Sequence, residues 1–449
     1  MALRYHVVTL GCAKNSVDSD SMARLLEQAG YLHAEHAPHA DVLVVNTCGF
    51  IGPAREESLR TLRDLAQRKR RGQKLIAAGC LTQRYAEQVA REVPGLDGIL
   101  GTRRWMDILD VVQGLRRSAH PQPLYHLPPE AQTVGRDAQG VLRASIQGSS
   151  AYLKIADGCR RPCAFCAIPL IKGTAVSRPF EAIVGEARAL RDRGMQEIIL
   201  IAQDTTDYGH DLGLQDGLAQ LLEAIVRAVP DLPWLRVMYA FPGAITDHLI
   251  EVMAALPQVL PYIDLPLQHA HPAVLRRMRR PANVDWVHAT VGKLRAAMPD
   301  LALRSTFIVG YPGESEPEFE ALLGFLKETH FDRVGCFTYS FEMETESGRL
   351  ADDVPAQVKE ERRGRLMEMQ QGISLQRNQA WVGRTLPVLI EGEGEGLAIG
   401  RSFRDAPEVD GVVLVEGVPP SIGELVAVTI SGALAYDLVG RLAQPAIGA

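Results

Sequence analysis

The stretch Cys159-Arg160-Arg161-Pro162-Cys163-Ala164-Phe165-Cys166 places three thiols at spacings of four and three. It follows directly on an apolar run, Ala151-Tyr152-Leu153-Lys154-Ile155-Ala156-Asp157-Gly158, that reads as a buried strand. Three thiolates on one short loop can cap three corners of a metal cluster and leave the fourth open. Iron–sulfur clusters ordinarily take four thiolates, so an open corner implies a further ligand. A structural zinc site would want a fourth Cys or His close by, in a second pair at finger or ribbon spacing. No such pair follows within the next dozens of residues. Two plainer readings stay open at this point: a zinc site completed from far along the chain, and three unrelated core cysteines.

With Phe165 before its last cysteine, Cys-x3-Cys-x2-Cys resembles the signature of the radical S-adenosylmethionine enzymes. The resemblance implies a 4Fe-4S cluster on Cys159, Cys163 and Cys166, with S-adenosylmethionine chelating the open iron through its amino and carboxylate groups.

A chain of 449 residues exceeds a single core and predicts about two to four domains. Its apolar and charged fractions, 46% and 23%, are those of an ordinary soluble globular protein. The start, Met1-Ala2-Leu3-Arg4-Tyr5-His6-Val7-Val8, is strand-like and lacks the apolar stretch and cleavage site of a signal peptide. No segment approaches membrane-spanning length. Seven cysteines, an odd number, argue for reduced thiols rather than a disulfide framework. The expected compartment is the cytoplasm.

Residues 1–118 read as an open α/β domain. Strands over 5–10, 42–46 and 74–78 alternate with helices over 16–29, 53–71 and 82–92, and a weaker unit runs from Gly98 through Trp105 to Leu115. Such alternation predicts a parallel sheet with helices on both faces. Cys12, Cys48 and Cys80 each lie just beyond a strand end, in Leu10-Gly11-Cys12, Asn46-Thr47-Cys48-Gly49 and Ala78-Gly79-Cys80. The carboxyl ends of strands form the ligand crevice of an open α/β sheet, so these three thiols should converge at one edge. The neighbouring Gly11, Gly49 and Gly79 allow tight turns and close approach of a bulky ligand. Any one of these cysteines alone reads as a small buried apolar residue. All three at equivalent strand ends read as ligands of a second cluster, again with an open iron.

Residues 119–150, with Pro121, Pro123, Pro128 and Pro129 and little periodicity, read as a linker. Through 151–345 strand and helix alternate six times, with strands over 151–158, 197–204, 234–241, 262–268, 301–310 and 333–340. Six βα units fit a partial (β/α)6 version of the TIM barrel, whose active site lies at the carboxyl ends of the strands. That rim holds the 159–166 loop, Gln203-Asp204 after the second strand, Gln268-His269 after the fourth, and Gly310-Tyr311-Pro312-Gly313-Glu314 after the fifth. The glycine-rich segment is a poor phosphate cradle, lacking the Walker Lys and the dinucleotide spacing. It is similar to the turn that radical S-adenosylmethionine enzymes place around the adenine. Phe165, Gln203, Asp204, Gly310 and Gly313 are therefore the candidate cofactor-binding residues. His269 and His271 read as hydrogen-bonding or surface residues, and Cys336 as core. Arg276, Arg277, Arg279 and Arg280 read either as a solvated helix face or as a surface for substrate or a redox partner.

Residues 346–380 read as a connecting helix. Residues 381–449 read as about five short strands with glycine-rich turns, a small antiparallel β-barrel related to the oligonucleotide-binding type. Barrels of this kind often bind nucleic acid, and a binder should be basic. From residue 383 to 449 there are 4 Arg and no Lys against 9 Asp and Glu, a net of −5 out of −6 for the whole chain. Such a barrel repels RNA phosphates and attracts a basic protein. Glu391, Glu393, Glu395, Asp405, Glu408 and Asp410 fall in or beside predicted turns and form the expected docking face.

The three-cysteine α/β domain, the radical S-adenosylmethionine barrel and the small terminal barrel (the TRAM domain) resemble the methylthiotransferases along essentially the whole chain. One branch modifies an adenosine in transfer RNA; the other modifies an aspartate of the small-subunit ribosomal protein S-twelve. Ile201-Ala202-Gln203-Asp204-Thr205-Thr206, Asp264-Leu265-Pro266-Leu267-Gln268-His269 and the run from Gly400-Arg401-Ser402-Phe403 to Asp410-Gly411 are similar to the second branch. The acidic barrel agrees, since ribosomal proteins are basic. Phe341-Glu342-Met343-Glu344 fits no motif of either branch. The resemblance implies that the cluster on Cys159, Cys163 and Cys166 reduces S-adenosylmethionine to methionine and a 5′-deoxyadenosyl radical, which takes hydrogen from the aspartate β-carbon. It implies also that a second 4Fe-4S cluster, on Cys12, Cys48 and Cys80, presents the sulfur that is methylated and transferred. The implied partners are ribosomal protein S-twelve and an electron donor such as flavodoxin or ferredoxin, with no membrane and no direct nucleic-acid contact. A non-catalytic iron–sulfur electron carrier is the rival of another class; it would show four cysteines per cluster and no six-unit barrel.

Overall fold

The computed structural model describes residues 2–117, 122–137, 140–394, 396–417 and 420–443. Its first sheet contains β1 (Arg4–Thr9), β2 (Leu32–His33), β3 (Val42–Thr47), β4 (Lys74–Gly79), β5 (Gly98–Gly101) and β6 (Leu124–His126), ordered β2-β1-β3-β4-β5-β6. Every pair is parallel. Strand alternation decides the two faces. Val42 and Val44 join the core under helices Ala13–Gln28 and Ile108–Arg117, while Leu43 and Val45 join the core under Gly52–Arg68 and Cys80–Glu92. All six positions of β3 are buried, as a central strand covered on both sides requires.

The proline-rich segment is more than a linker. It supplies β6 as the far edge of the first sheet, and β7 (Ala144–Gln147), which pairs antiparallel with β8 (Ser150–Lys154). Both are short edge strands, the place where proline-rich chain is tolerated in a sheet. Pro121 lies outside the described residues.

The central unit continues with the small antiparallel pair β9 (Ala156–Asp157) and β10 (Val176–Ser177), then β11 (Glu197–Ile201), β12 (Trp234–Val237), β13 (Tyr262–Asp264), β14 (Ala302–Val309) and β15 (Arg333–Thr338). The six parallel strands form an arc in two sheets, β12-β11-β8 with β7 at its edge and β13-β14-β15. At the seam between them only single contacts remain, such as the Leu235–Val259 bridge and the Ala240 N–H donating to the Asp264 carbonyl at 2.9 Å. Prolines explain the break. Pro257, Pro261 and Pro266 flank β13 and withhold ladder donors, so it stays three residues long. Helix Ala356–Gln379, read from sequence as a connector, also sends Leu366 and Ile373 into the barrel core.

The last five strands, β16 (Thr385–Gly394), β17 (Leu397–Ser402), β18 (Val413–Glu416), β19 (Leu425–Ala433) and β20 (Leu438–Leu442), close a barrel in the order β16-β17-β18-β20-β19. Four seams are antiparallel and β18–β20 is parallel. An odd number of strands alternating in direction cannot close otherwise. The small barrel packs on the central strands: Ile198 and Leu200 face the helix-covered core, whereas Tyr152, Ile199 and Ile201 share a core with Leu386, Val388 and Phe403.

That contact changes the reading of the acidic residues. Asp405 is buried and accepts from Arg333 at 2.7 Å. The Asp410 carboxylate accepts from the Tyr262 hydroxyl at 2.6 Å and faces Arg304 at 3.3 Å. Glu391 is spent on Arg401, which also holds the buried Glu197 at 2.6 Å. Asp405 and Asp410 therefore fasten the barrel to the central unit and are not free to dock a partner. Glu393 and Glu408 remain exposed, and Glu395 lies outside the described residues. No helix among the described residues is long and apolar enough to cross a membrane.

Candidate active site

Strands β1, β3 and β4 are neighbours in the sheet, so the loops that follow them lie side by side. Cys12 caps the amino end of helix Ala13–Gln28, Cys48 follows β3, and Cys80 opens helix Cys80–Glu92. Asn15 ties the loops together, donating to the Leu10 and Thr47 carbonyls at 2.9 and 3.1 Å. Ser58 holds the Cys48 backbone at both its N–H and its carbonyl, each at 3.0 Å. Two of the glycines serve contacts between the loops themselves. A Cβ on Gly49 would lie 2.5 Å from Leu81 Cα, and one on Gly79 2.5 Å from the Thr47 carbonyl oxygen. They let the three loops approach one another.

On the opposite wall the 159–166 loop is pinned by its backbone. The Cys159 N–H donates to Gly173 O at 3.1 Å, and the Ala164 N–H to Met278 O at 2.9 Å. Gly158 has φ +76°, and a Cβ there would meet Thr174 O at 2.1 Å, so this turn requires glycine. All six cysteines line one cavity of about 360 Å³. None of them is in a disulfide. Cys12 is exposed, but the surface it exposes is cavity wall. Cys336, the seventh, packs against the barrel core.

Burial pushes the Cys80 and Cys166 thiols up to about 12 and Cys159 to about 11. Burial would raise Cys12 too, but Lys14, the Asn15 N–H and Lys172 outweigh it and hold that thiol below its ordinary value. Thiols this reluctant to ionise become ligands when a bound cation draws the proton off. Among the described residues no three His, Cys, Asp or Glu side chains are arranged about a single ion. Two sets of three thiols facing a shared space suit multi-iron clusters instead, each with one corner left to another ligand.

The charge behind the wall agrees. Asp18 and Asp157, both buried, are shared by Arg143, Lys154 and Lys172 at distances of 2.5 to 3.2 Å. Three cations face two carboxylates, and Lys172 reaches the cavity beside Cys80. Burial alone would raise the Asp18 carboxyl, yet the three cations hold it far below the usual range. The surplus positive charge suits a cluster made anionic by its thiolates.

Of the other candidates, Phe165, Gln203 and Asp204 line the cavity. Asp204 accepts from Arg161 at 2.7 Å, and Gln203 Oε1 is buried without a partner. Gly310 and Gly313 are not on this wall. Gly310 packs against Lys359, and the Gly313 N–H donates to Asp353 at 2.7 Å. His269 is buried, 3.4 Å from Glu314, and His271 caps the helix after it. Sequence reasoning passed over Lys14, Asn15, Tyr239 and Phe241. It left Arg280 undecided in a basic run. Arg280 is in fact buried, stacked 4.3 Å over Phe241 and 3.6 Å from Cys163 Sγ. Arg161 lies 4.2 Å from the same ring. The unplaced segment after β15 also finds its role: Glu342 is buried against Arg84 at 2.8 Å, and Glu344 meets the same guanidinium at 2.7 Å. It latches the central unit to the three-cysteine domain.

Residues 4–101 match the model described as uncharacterized protein family UPF0004, 153–326 that of the radical SAM superfamily, and 382–443 the TRAM domain. The ribosomal protein uS12 methylthiotransferase RimO of Chloroflexus aurantiacus is 50% identical, covering 98% of this chain and 99% of that one. The chain belongs to the RimO family. RimO of a Roseiflexus species is 49% identical over 98% of both chains, and RimO of a Synechocystis species 44% identical over 97% of both. Among solved structures, the radical S-adenosylmethionine methyltransferase TsrM of Kitasatospora setae superposes with a TM-score of 0.58 at 13% identity, covering 78% of this chain and 74% of that one. The two chains thus share a fold over that part.

Proposed function

We propose that the chain is a radical S-adenosylmethionine methylthiotransferase that adds a methylthio group to the β-carbon of an aspartate in ribosomal protein uS12. One observation carries the reading: two sets of three cysteines, from two domains, face each other across one cavity. Cys159, Cys163 and Cys166 would hold the cluster that binds S-adenosylmethionine, and Cys12, Cys48 and Cys80 the second. Bound there, the clusters and S-adenosylmethionine supply radical abstraction of hydrogen and a methylated sulfur, chemistry that a C–H bond without an acidic proton demands of a cofactor.

The protein's part is to position and to exclude water. Phe165, Tyr239, Phe241 and Ile168 give the cavity a largely apolar wall, which protects a reactive species from solvent. Arg161 and Arg280, both stacked on Phe241, brace the 159–166 loop. The same three cysteines border an outer groove with Arg160, Leu170 and Arg279. A flavodoxin or ferredoxin donor seated there would stand beside the first cluster. The acidic balance of the terminal barrel favours a basic protein over transfer RNA as substrate.

The test is anaerobic incubation of iron-loaded enzyme with S-adenosylmethionine, a reductant, and either uS12 or transfer RNA, followed by mass spectrometry of both. A methylthio group on the uS12 aspartate is expected. Its appearance on RNA alone refutes the reading.

A further inference from the structure

Four polar side chains on the cavity wall leave hydrogen-bonding capacity unused within the protein. Gln203 Oε1 is buried without a hydrogen bond, and among the described residues the side chains of Lys14, Tyr239 and Gln268 make none. Lys14 is the informative one. Its ammonium lies 3.0 Å from the centroid of the Tyr239 ring and pairs with no carboxylate. The other cations of the wall are occupied: Arg161 with Asp204 at 2.7 Å, Lys172 with Asp18 and Asp157, and Arg280 with the Pro266 carbonyl. Cys12 and Asp264 act on this ammonium only from beyond ion-pair distance, and one aromatic face replaces only part of its hydration.

The partner beneath it is held in an unusual way. Tyr239 and Gln268 have φ of +63° and +74°, left-handed values rare outside glycine. Tyr239 is clamped there, its N–H donating to Asp264 Oδ2 at 3.2 Å and its carbonyl accepting from the Thr205 N–H at 3.1 Å. The strained backbone fixes the ring under the ammonium and leaves the hydroxyl free to donate.

We propose that Lys14 and the Tyr239 hydroxyl receive the carboxylate of the target aspartate, and so select an acidic side chain as substrate. This rests on the function proposed above. A carboxylate offers one oxygen to the ammonium and the other to the hydroxyl. S-adenosylmethionine brings a carboxylate too, but Lys14 stands two residues from Cys12, on the domain that carries the second cysteine set.

The experiment uses full-length, iron-loaded enzyme and two peptides of the uS12 target loop, with Asp or Asn at the target position. The wild type should bind the Asp peptide about tenfold or more tightly than the Asn peptide, the scale of a hydrogen bond to a charged group. Lys14→Met should bring that ratio close to one and raise KM more than it lowers kcat, while Lys14→Arg keeps the preference. Tyr239→Phe should lower the ratio several-fold. Iron per chain and affinity for S-adenosylmethionine are read in parallel. An unchanged ratio in Lys14→Met overturns the proposal, as does lost S-adenosylmethionine affinity with the ratio intact, which would put the cofactor's carboxylate at Lys14. If Lys14→Met fails to load iron, Tyr239→Phe decides: an unaltered preference for Asp overturns it. A wild type that modifies neither uS12 nor the peptide refutes the proposed function, and with it this inference.

Discussion

Neutralising Asp18 and removing Lys172 should have unequal consequences in the iron-free protein, although the two side chains touch at 3.1 Å. The buried network holds three cations against two carboxylates. Asp18→Asn leaves three cations facing one carboxylate, and breaking a buried pair from one side costs about 3–5 kcal/mol. Lys172→Met leaves two against two, a balanced set, so its cost should fall to the ~1 kcal/mol of ordinary core adjustment. In the iron-loaded protein the order should narrow, because the surplus cation then faces an anionic cluster beside Cys80. Urea unfolding of both variants, without iron and loaded, measures each difference. Equal destabilisation of the two variants in the iron-free protein refutes the charge argument. The sign with pH follows from the depressed Asp18 carboxyl. Its contribution is complete above the unfolded value of about 3.9 and is lost as pH falls from there toward the lower folded value. Asp18→Asn should therefore flatten the acid limb of the stability profile.

Cys163→Ala should abolish 5′-deoxyadenosine formation, measured by chromatography under reducing conditions; undiminished cleavage of S-adenosylmethionine would remove the 159–166 loop from the chemistry. Replacing Cys12, Cys48 and Cys80 together by Ala should lower bound iron by roughly half, one of two similar clusters, and end methylthiolation while cleavage continues. Unchanged iron content would make these cysteines core residues. Glu393→Lys with Glu408→Lys should weaken uS12 binding, and added salt should weaken the wild-type complex, since exposed charges are screened beyond about 8 Å at physiological ionic strength. Equal affinities across the salt series would leave those acids as solubility residues. Asp410→Lys should instead unfold the barrel contact at low denaturant, because it drives a second cation against Arg304.

What could be read in the sequence was whatever short-range pattern encodes. The 159–166 spacing is local, and the three outlying cysteines are each marked by a strand that ends just before them, so both sets were legible before any coordinates. Parallel order then did the rest, since β1, β3 and β4 have to be neighbours for Cys12, Cys48 and Cys80 to meet. What escaped depends on contacts distant in sequence. Asp410 looks like a turn acid beside Gly411, and only the packing of one barrel on another brings Tyr262 and Arg304 to it. Glu342 has no local pattern at all, yet Arg84, 258 positions earlier in the numbering, buries it. Gly310 and Gly313 lie off the cysteine cavity: positive φ at both shows why glycine stands there, and the space a Cβ would take at Gly310 is filled by Lys359 of the connecting helix. Lys14 was hidden for a physical reason of its own. Two residues after Cys12, it belongs to no local motif, and its significance lies in what the fold withholds. Every neighbouring cation is given a hydrogen-bonded partner, and this one has only the Tyr239 ring.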